Sequence, residues 1–313
     1  MKKTVLTITL NPAVDKSSAV KGIIAEKKLR CDPPKYEPGG GGINVSRALK
    51  RLGTASETLF LYGGKTGHLL VELLEQEQLH VMPLSIGGET RENFIVVDTT
   101  NNQQYRFGFP GDKISVEEQQ HIISTIHEIN EFPELVVISG SLPPGVAPSF
   151  LRKLIRLCKS KGSKVILDSS GEALKEGLAE GVFLIKPNIG ELAAFSGIDE
   201  LDETSVDEAT RKIIADGRTE MIVVSLGAQG AVLYTETAKI QVSAPVVKKR
   251  STVGAGDSMV AGMVAILANG GTSADMLRMG VACGSATTMA EGTGLFQKKD
   301  VDRLYQQIQK ING

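Results

Sequence analysis

Three short runs in this chain leave no position for a polar face. Leu135-Val136-Val137-Ile138, Val165-Ile166-Leu167 and Met221-Ile222-Val223-Val224 are apolar without alternation. A strand that is apolar at every position must be covered on both sides, which is the setting of a parallel sheet between two helical layers. Further strand candidates fall at 5–10, 58–62 and 183–186, beside the runs at 135–139, 164–168 and 221–225. Segments of helical period lie between them at 43–52, 67–76, 116–129, 148–161, 205–216, 257–268 and 273–289. The alternation predicts an α/β fold, a doubly wound and mostly parallel sheet flanked by helices, over a single domain spanning 1–313. Right-handed crossovers then gather the strand C-terminal ends on one edge, where ligands bind.

Residues 16–36 and 91–109 break the alternation, because they read as strands with no helix between. The second is a hairpin, 93–98 and 103–109 around a polar 99–102 turn, and Asn101-Asn102 suits the positive φ that tight turns demand. The two segments predict a small antiparallel β lid inserted beside the main sheet. The apolar face of such a lid needs covering, which makes it a candidate homodimer interface.

Composition excludes several chemistries. Thirty-five basic against thirty-six acidic residues give a net charge of −1, so no basic excess points to nucleic acid. No apolar run approaches a membrane span, and the start of the chain lacks the apolar core of a signal peptide, so the expected location is cytoplasmic. Cys31, Cys158 and Cys283 are far apart, and the four histidines form no H-E-x-x-H pair, which argues against zinc and against Cys–His nucleophilic chemistry. Gly64-Lys65-Thr66 imitates the end of a phosphate-binding P-loop, but Leu59 stands where its leading glycine belongs. No G-x-G-x-x-G follows a strand, so a nicotinamide dehydrogenase is disfavoured.

Two glycine-rich segments remain. In Pro38-Gly39-Gly40-Gly41-Gly42-Ile43-Asn44, four consecutive glycines expose main-chain N–H groups at the start of a helix, and Asn44 can both donate and accept beside them. In Ser251-Thr252-Val253-Gly254-Ala255-Gly256-Asp257, the N–H groups of Gly254, Ala255 and Gly256 can converge on an anion. Asp257, in the first turn of the next helix, is either a plain cap or a base that takes a proton from an attacking hydroxyl. Two glycines directly before the carboxylate favour the base, since phosphoryl transfer needs both parts together.

These segments resemble the ribokinase/PfkB family of sugar kinases. The first glycine stretch with Asn44 and Ser46, followed by Gly53 and Gly63, is similar to one family signature. Ser251 to Asp257, leading to Ala261-Gly262, is similar to the other, and Asn188-Ile189-Gly190-Glu191 to the N-x-x-E element. Asn11-Pro12-Ala13-Val14-Asp15 and Ser139-Gly140-Ser141-Leu142-Pro143-Pro144-Gly145 resemble the branch that phosphorylates hexose phosphates. Gly41 stands where fructose-1-phosphate and tagatose-6-phosphate kinases usually carry lysine. The wording around residues 28–31, 36–44, 104–107 and 168–174 resembles the branch's 6-phosphofructokinases.

The resemblance implies ATP-dependent transfer to the 1-hydroxyl of fructose 6-phosphate, with fructose 1-phosphate or tagatose 6-phosphate as alternative acceptors. A non-catalytic sugar-phosphate sensor is the alternative from another class. The resemblance implies Asp257 as base and Gly254, Ala255 and Gly256 as the anion hole. Asp15, Gly40, Gly41 and Asn44 would hold sugar hydroxyls; Lys28, Arg91 and Arg106 the substrate phosphate; Ser141 and Asp168 further substrate positions. Asn188 and Glu191 would organise the water shell of Mg²⁺ on the nucleotide, although their spacing alone also fits a helix cap. Ser225, Gly227 and Gly230 would form the ATP-side loop. Ser251, Val253 and Thr287 fall near the family's K⁺ site. The resemblance also implies a homodimer joined through the lid.

Overall fold

The computed structural model describes residues 5–198 and 202–311. Its main sheet has nine strands. In chain order they are β1 (Val5–Thr9), β4 (Glu57–Tyr62), β5 (His80–Ser85), β8 (Leu135–Ser139), β9 (Lys164–Asp168), β10 (Val182–Ile185), β11 (Thr219–Ser225), β12 (Ala231–Tyr234) and β13 (Lys239–Val242). The spatial order is β13-β12-β11-β10-β9-β8-β1-β4-β5. Strands from β5 to β11 are parallel, and β12 and β13 are added antiparallel at one edge. A second sheet, ordered β3-β2-β6-β7, takes β2 (Ala13–Val20), β3 (Lys35–Gly39), β6 (Arg91–Asp98) and β7 (Gln103–Gly108). Its outer pairs are antiparallel and its central pair, β2 with β6, is parallel.

The unbroken apolar strands feed two cores by simple alternation. Leu135, Val137, Ile166 and Val223 face one; Val136, Ile138, Val165, Leu167, Ile222 and Val224 face the other. The first core is covered by α1 (Gly41–Leu52), α8 (Ala255–Ala268), α9 (Ser273–Thr288) and α10 (Lys298–Ile311). The second is covered by α3 (Val116–His127), α4 (Pro148–Ser160), α5 (Gly171–Ala179), α6 (Ile189–Ser196) and α7 (Glu203–Ala215). Leu70 and Leu74 of α2 (Gly64–Gln76) join Val14, Ile43 and Phe60 in a third cluster, seating the small sheet against the large one.

The expected strands and helices form outside 21–34, where the strand-like reading of 16–36 is interrupted, and the other differences from expectation have local causes. Helices α1, α2 and α8 each begin two or three residues early, inside glycine segments that carry no apolar period. Strand β5 contains Pro83, which reads against a strand but is tolerated because β5 lies at the sheet edge. The four-residue strands β12 and β13 and the short helices α5 and α6 are below the length at which periodicity speaks. In the hairpin, Asn102 takes φ 58° as its turn requires, while 21–34, between β2 and β3, carries no strand.

Helix α8 is buried along most of its length, from Ser258 to Ala265 and again at Ala268. It packs on α9 at a distance only glycine permits. A Cβ on Gly262 would lie 2.7 Å from Met279 O, and one on Gly280 would lie 2.8 Å from Met263 Cγ. The N-terminus of α8 is thereby held rigidly at the sheet edge.

Candidate active site

The chain leaves β1 towards β4 and β5, then returns to β8 on the other side of β1, so the topological switch point lies between β1 and β8. The N-terminus of α1 is wedged into that gap. Ile43 N donates to Thr9 Oγ1 at 2.9 Å. The glycines before it are dictated by neighbours. A Cβ on Gly39 would lie 2.8 Å from Asp15 Oδ1, and one on Gly42 would lie 2.6 Å from Thr9 Oγ1. On Gly41 it would collide with Ser139 Oγ and stand 2.9 Å from Gly140 N. Gly40 adopts φ 123°, open only to glycine without strain.

The second segment meets the first across this gap. Gly254, the N-cap of α8, takes φ 71° and offers no side chain to the helix N–H groups. Ala255, Gly256 and Asp257 form the first turn. Asn44 Nδ2 donates to Asp257 Oδ2 at 2.9 Å, joining residues 213 positions apart. Burial, and then the nearby Asp168 carboxylate, push Asp257 up to about 6, against the opposing pull of Asn44 and Lys186. A group near that value is ionised at neutral pH and still basic enough to accept a proton.

Lys186 was not among the residues expected at the site. It is 7% exposed, directly follows β10, and its Nζ lies 3.3 Å from Asp168 Oδ1. A Cβ on Gly256 would stand 3.4 Å from that Nζ, so the ammonium borders the first turn of α8. Burial pulls its pKa down, but Asp168, Asp257 and Glu191 together outweigh burial and raise it, so Lys186 stays cationic. Its signal in the sequence is a lone basic residue closing the apolar run Val182-Phe183-Leu184-Ile185. Asp168 also accepts from Ser139 Oγ at 3.3 Å, tying the ends of β8 and β9.

On the small-sheet side, Asp15 is buried and accepts from Asn93 Nδ2 at 2.8 Å; burial raises its carboxyl pKa. Arg91 donates to Asn11 O and to Phe109 O, each at 3.1 Å, and its buried Nε has no protein partner among the described residues. Asn11 Nδ2 in turn donates to Ser141 Oγ at 3.1 Å. Arg91, Asn11, Ser141, Gly108 and Phe109 line a cleft of about 590 Å³. Arg106 is exposed on β7 and reaches Thr252 Oγ1 at 3.1 Å, linking the small sheet to the loop before α8. Lys28 stands exposed on the 21–34 connection, outside this bonded cluster. A larger groove of about 770 Å³, lined by Lys164, Arg211 and Glu220 among others, opens at the opposite ends of the strands and contains none of the expected residues.

Asn188 and Glu191 form a capping box at the start of α6. Glu191 N donates to Asn188 Oδ1 and Asn188 N to Glu191 Oε2, both at 2.9 Å. The box engages only Oε2 of the Glu191 carboxylate. Ser225, at the end of β11, bridges to Asn188. Gly227, at φ 59°, faces open space, whereas a Cβ on Gly230 would collide with Val242 O. The first of these two glycines is set by its backbone conformation alone, and the second also by its contact with the end of β13. Ser251 Oγ donates to Gly292 O at 2.7 Å, and Arg250 N to Thr288 O at 2.8 Å, folding 250–253 against the end of α9. The Thr287 hydroxyl is taken by Ser258, at 2.7 Å.

The arrangement sets a carboxylate, a helix N-terminus free of side-chain caps and a buried ammonium around one point, with an arginine-rimmed cleft beside it. The model of the pfkB family carbohydrate kinases matches residues 5–300. The chain is 42% identical over 302 residues to the ATP-dependent 6-phosphofructokinase isozyme 2 of Escherichia coli, covering 96% of this chain and 97% of that one. It is 34% identical over 293 residues to the 1-phosphofructokinase of Bacillus subtilis, covering 93% and 94%. The crystal structure of Escherichia coli phosphofructokinase-2 in complex with potassium superposes with a TM-score of 0.94 at 41% identity, over 98% of this chain and 99% of that one.

Proposed function

Because the chain belongs to the pfkB family of carbohydrate kinases, we propose that it transfers the γ-phosphoryl group of ATP to the 1-hydroxyl of fructose 6-phosphate in the cytoplasm. The observation that carries this reading is the Asp257 carboxylate, half-buried in the first turn of α8, bonded to Asn44 and flanked by Gly254, Ala255 and Gly256. Asp257 takes the proton as the sugar oxygen attacks the γ-phosphorus. The P–O bond to ADP breaks in line, and fructose 1,6-bisphosphate leaves. The N–H groups of the α8 turn, with Lys186 beside Gly256, hold the charge of the moving group.

Asp15, Gly40, Gly41 and Asn44 hold the sugar, with Asp168 and Ser141 at its margin. The unpartnered Nε of Arg91 at the cleft supports that arginine as an anchor for the 6-phosphate, where a guanidinium can bind oxygens in pairs. Arg106 bridges from the small sheet towards the transferring group, and Lys28 completes the anchor when the 21–34 connection folds over. Asn188 and Glu191 would hold the water shell of Mg²⁺, which would supply neutralisation of phosphate charge; the capping box engages only Oε2 of Glu191, which fits that role. Ser225 and Gly227 line the nucleotide side. Main-chain oxygens of Ser251, Val253 and Thr287 suit K⁺, a hard cation bound by oxygen.

The small sheet acts as a lid that excludes water. Ile23, Ile24, Phe107 and Phe109 are exposed on its strands and connections, which supports a homodimer clasped through it. The acceptor is the part of the reading most open to competition, given the similarity to a 1-phosphofructokinase. Gly41 favours fructose 6-phosphate, since the kinases of the other two acceptors usually carry lysine at this position. An ADP-release assay over fructose 6-phosphate, fructose 1-phosphate and tagatose 6-phosphate tests this directly. The expected kcat/KM is highest for fructose 6-phosphate by about tenfold or more. A higher value for another sugar reassigns the acceptor, and ADP release with none of them removes the kinase reading.

A further inference from the structure

Arg47 lies outside the two glycine segments and outside every role above, yet its side chain is only 3% exposed and reaches the Asn44 amide that bonds to Asp257. Its Nε donates to both carboxylate oxygens of Glu77, at 3.0 and 2.9 Å, and its Nη2 to Oε1 at 2.6 Å. Glu77 caps the end of α2, so the pair ties α1 to α2. The remaining nitrogen, Nη1, is aimed the other way. It donates to Pro38 O at 3.1 Å and to Asn44 Oδ1 at 3.2 Å.

An amide side chain has nearly the same shape with its oxygen and nitrogen exchanged, so packing alone does not decide which end faces Asp257. A guanidinium does, because it has five donors and no acceptor. With Asn44 Oδ1 committed to Arg47, Asn44 Nδ2 is the end that faces the Asp257 carboxylate. The reverse orientation would set donor against donor at Arg47 and oxygen against oxygen at Asp257.

We infer that Arg47 is a positioning residue for phosphoryl transfer: braced by Glu77, it fixes the orientation of the Asn44 amide and so keeps Asp257 in its proton-accepting form. This rests on the reading of Asp257 as the base. The charged groups that act on Asp257 are Asp168 at the end of β9, Lys186 after β10 and Asp15 on β2. Two of these three are carboxylates that oppose ionisation, leaving Lys186 and the Asn44 amide to favour it. An amide freed to rotate removes one of the two.

The test is the pH dependence of turnover for Arg47→Met and Glu77→Gln in the full chain, with thermal unfolding recorded alongside. Ionisation of the substrate phosphates is common to all variants, so a displacement between profiles reports the enzyme. The expected result is an acid limb moved up by about half to one pH unit in Arg47→Met. Turnover recovers towards the unaltered level at alkaline pH, and Glu77→Gln shows a smaller shift in the same direction. A uniform loss at every pH, with the limb in place, reduces Arg47 to structural support and overturns the inference. If Arg47→Met does not fold, Glu77→Gln decides, because the Glu77 side chain is 32% exposed and its replacement leaves no dry cavity. An inactive Asp257→Asn beside an unmoved limb defeats only the role of Arg47, whereas an active Asp257→Asn defeats the base assignment beneath it.

Discussion

The two helices that meet at the cleft, α1 and α8, both begin in glycine, and for different physical reasons. In α1 the protein itself excludes side chains: Gly39, Gly41 and Gly42 are pressed against Asp15, Ser139 and Thr9. In α8 the constraint is split. Gly254 is fixed by its left-handed backbone, and Leu295 would also stand 2.8 Å from a Cβ there. Gly256 has no positive φ, and a Cβ would approach only the tip of Lys186, at 3.4 Å. Among the described residues nothing requires glycine at 256. One glycine run is thus a demand of the fold, while the other contains a position that the fold leaves open.

Substitutions separate the two demands, and the largest effect belongs to the carboxylate between them. Asp257→Asn is expected to lower kcat by about 10²–10⁴ with little change in KM, measured by ADP release. The same variant should melt at a higher temperature at neutral pH. The folded pKa of about 6 lies above the ordinary carboxylate value, so folding favours the protonated form. The stability this proton provides is present in acid and lost as pH rises through about 6, and a neutral side chain removes that loss. A lower melting temperature would mean that ionised Asp257 supports the fold.

Gly256→Ala comes next. It should unfold within about 1 kcal/mol of the unaltered protein, because alanine is acceptable in a first helical turn, yet lose about tenfold or more in turnover as the methyl intrudes on the anion hole. Normal turnover would show that the space in front of α8 is not used. Gly41→Ala should show the reverse balance. Crowding against Ser139 and Gly140 should cost about 1–3 kcal/mol in denaturant unfolding, with the smallest effect of the three on turnover. Equal stability of the two alanine variants would break the contrast between the helices.

The contrast also marks what the sequence could disclose. The main sheet was legible because full burial leaves an unbroken apolar run, as in β8 and β11. Pro83 concealed β5, since its tolerance depends on an edge position that only the assembled sheet defines. At the site, the glycine segments, Asn44 and Asp257 were legible because each lies beside a local pattern. Lys186 was less so, having one basic residue at the end of an apolar run as its whole signal. Arg47 and Glu77 were hidden for a different reason: thirty positions separate them, and their chemistry exists only once α1 and α2 lie side by side. The role of Gly230 was likewise obscured, because β13, which presses on it, is too short to be read.

The hydrogen bond between Asn44 and Asp257 has a consequence for how the protein is made. Its partners sit 213 residues apart, so a ribosome translating about 5–20 residues per second emits the first many seconds before the second. Until α8 has emerged, the growing chain holds the Asn44 side of the cleft but neither Asp257 nor the helix turn around it. A chain cut short before α8 therefore lacks one wall of the cleft, because that wall is supplied by the late elements.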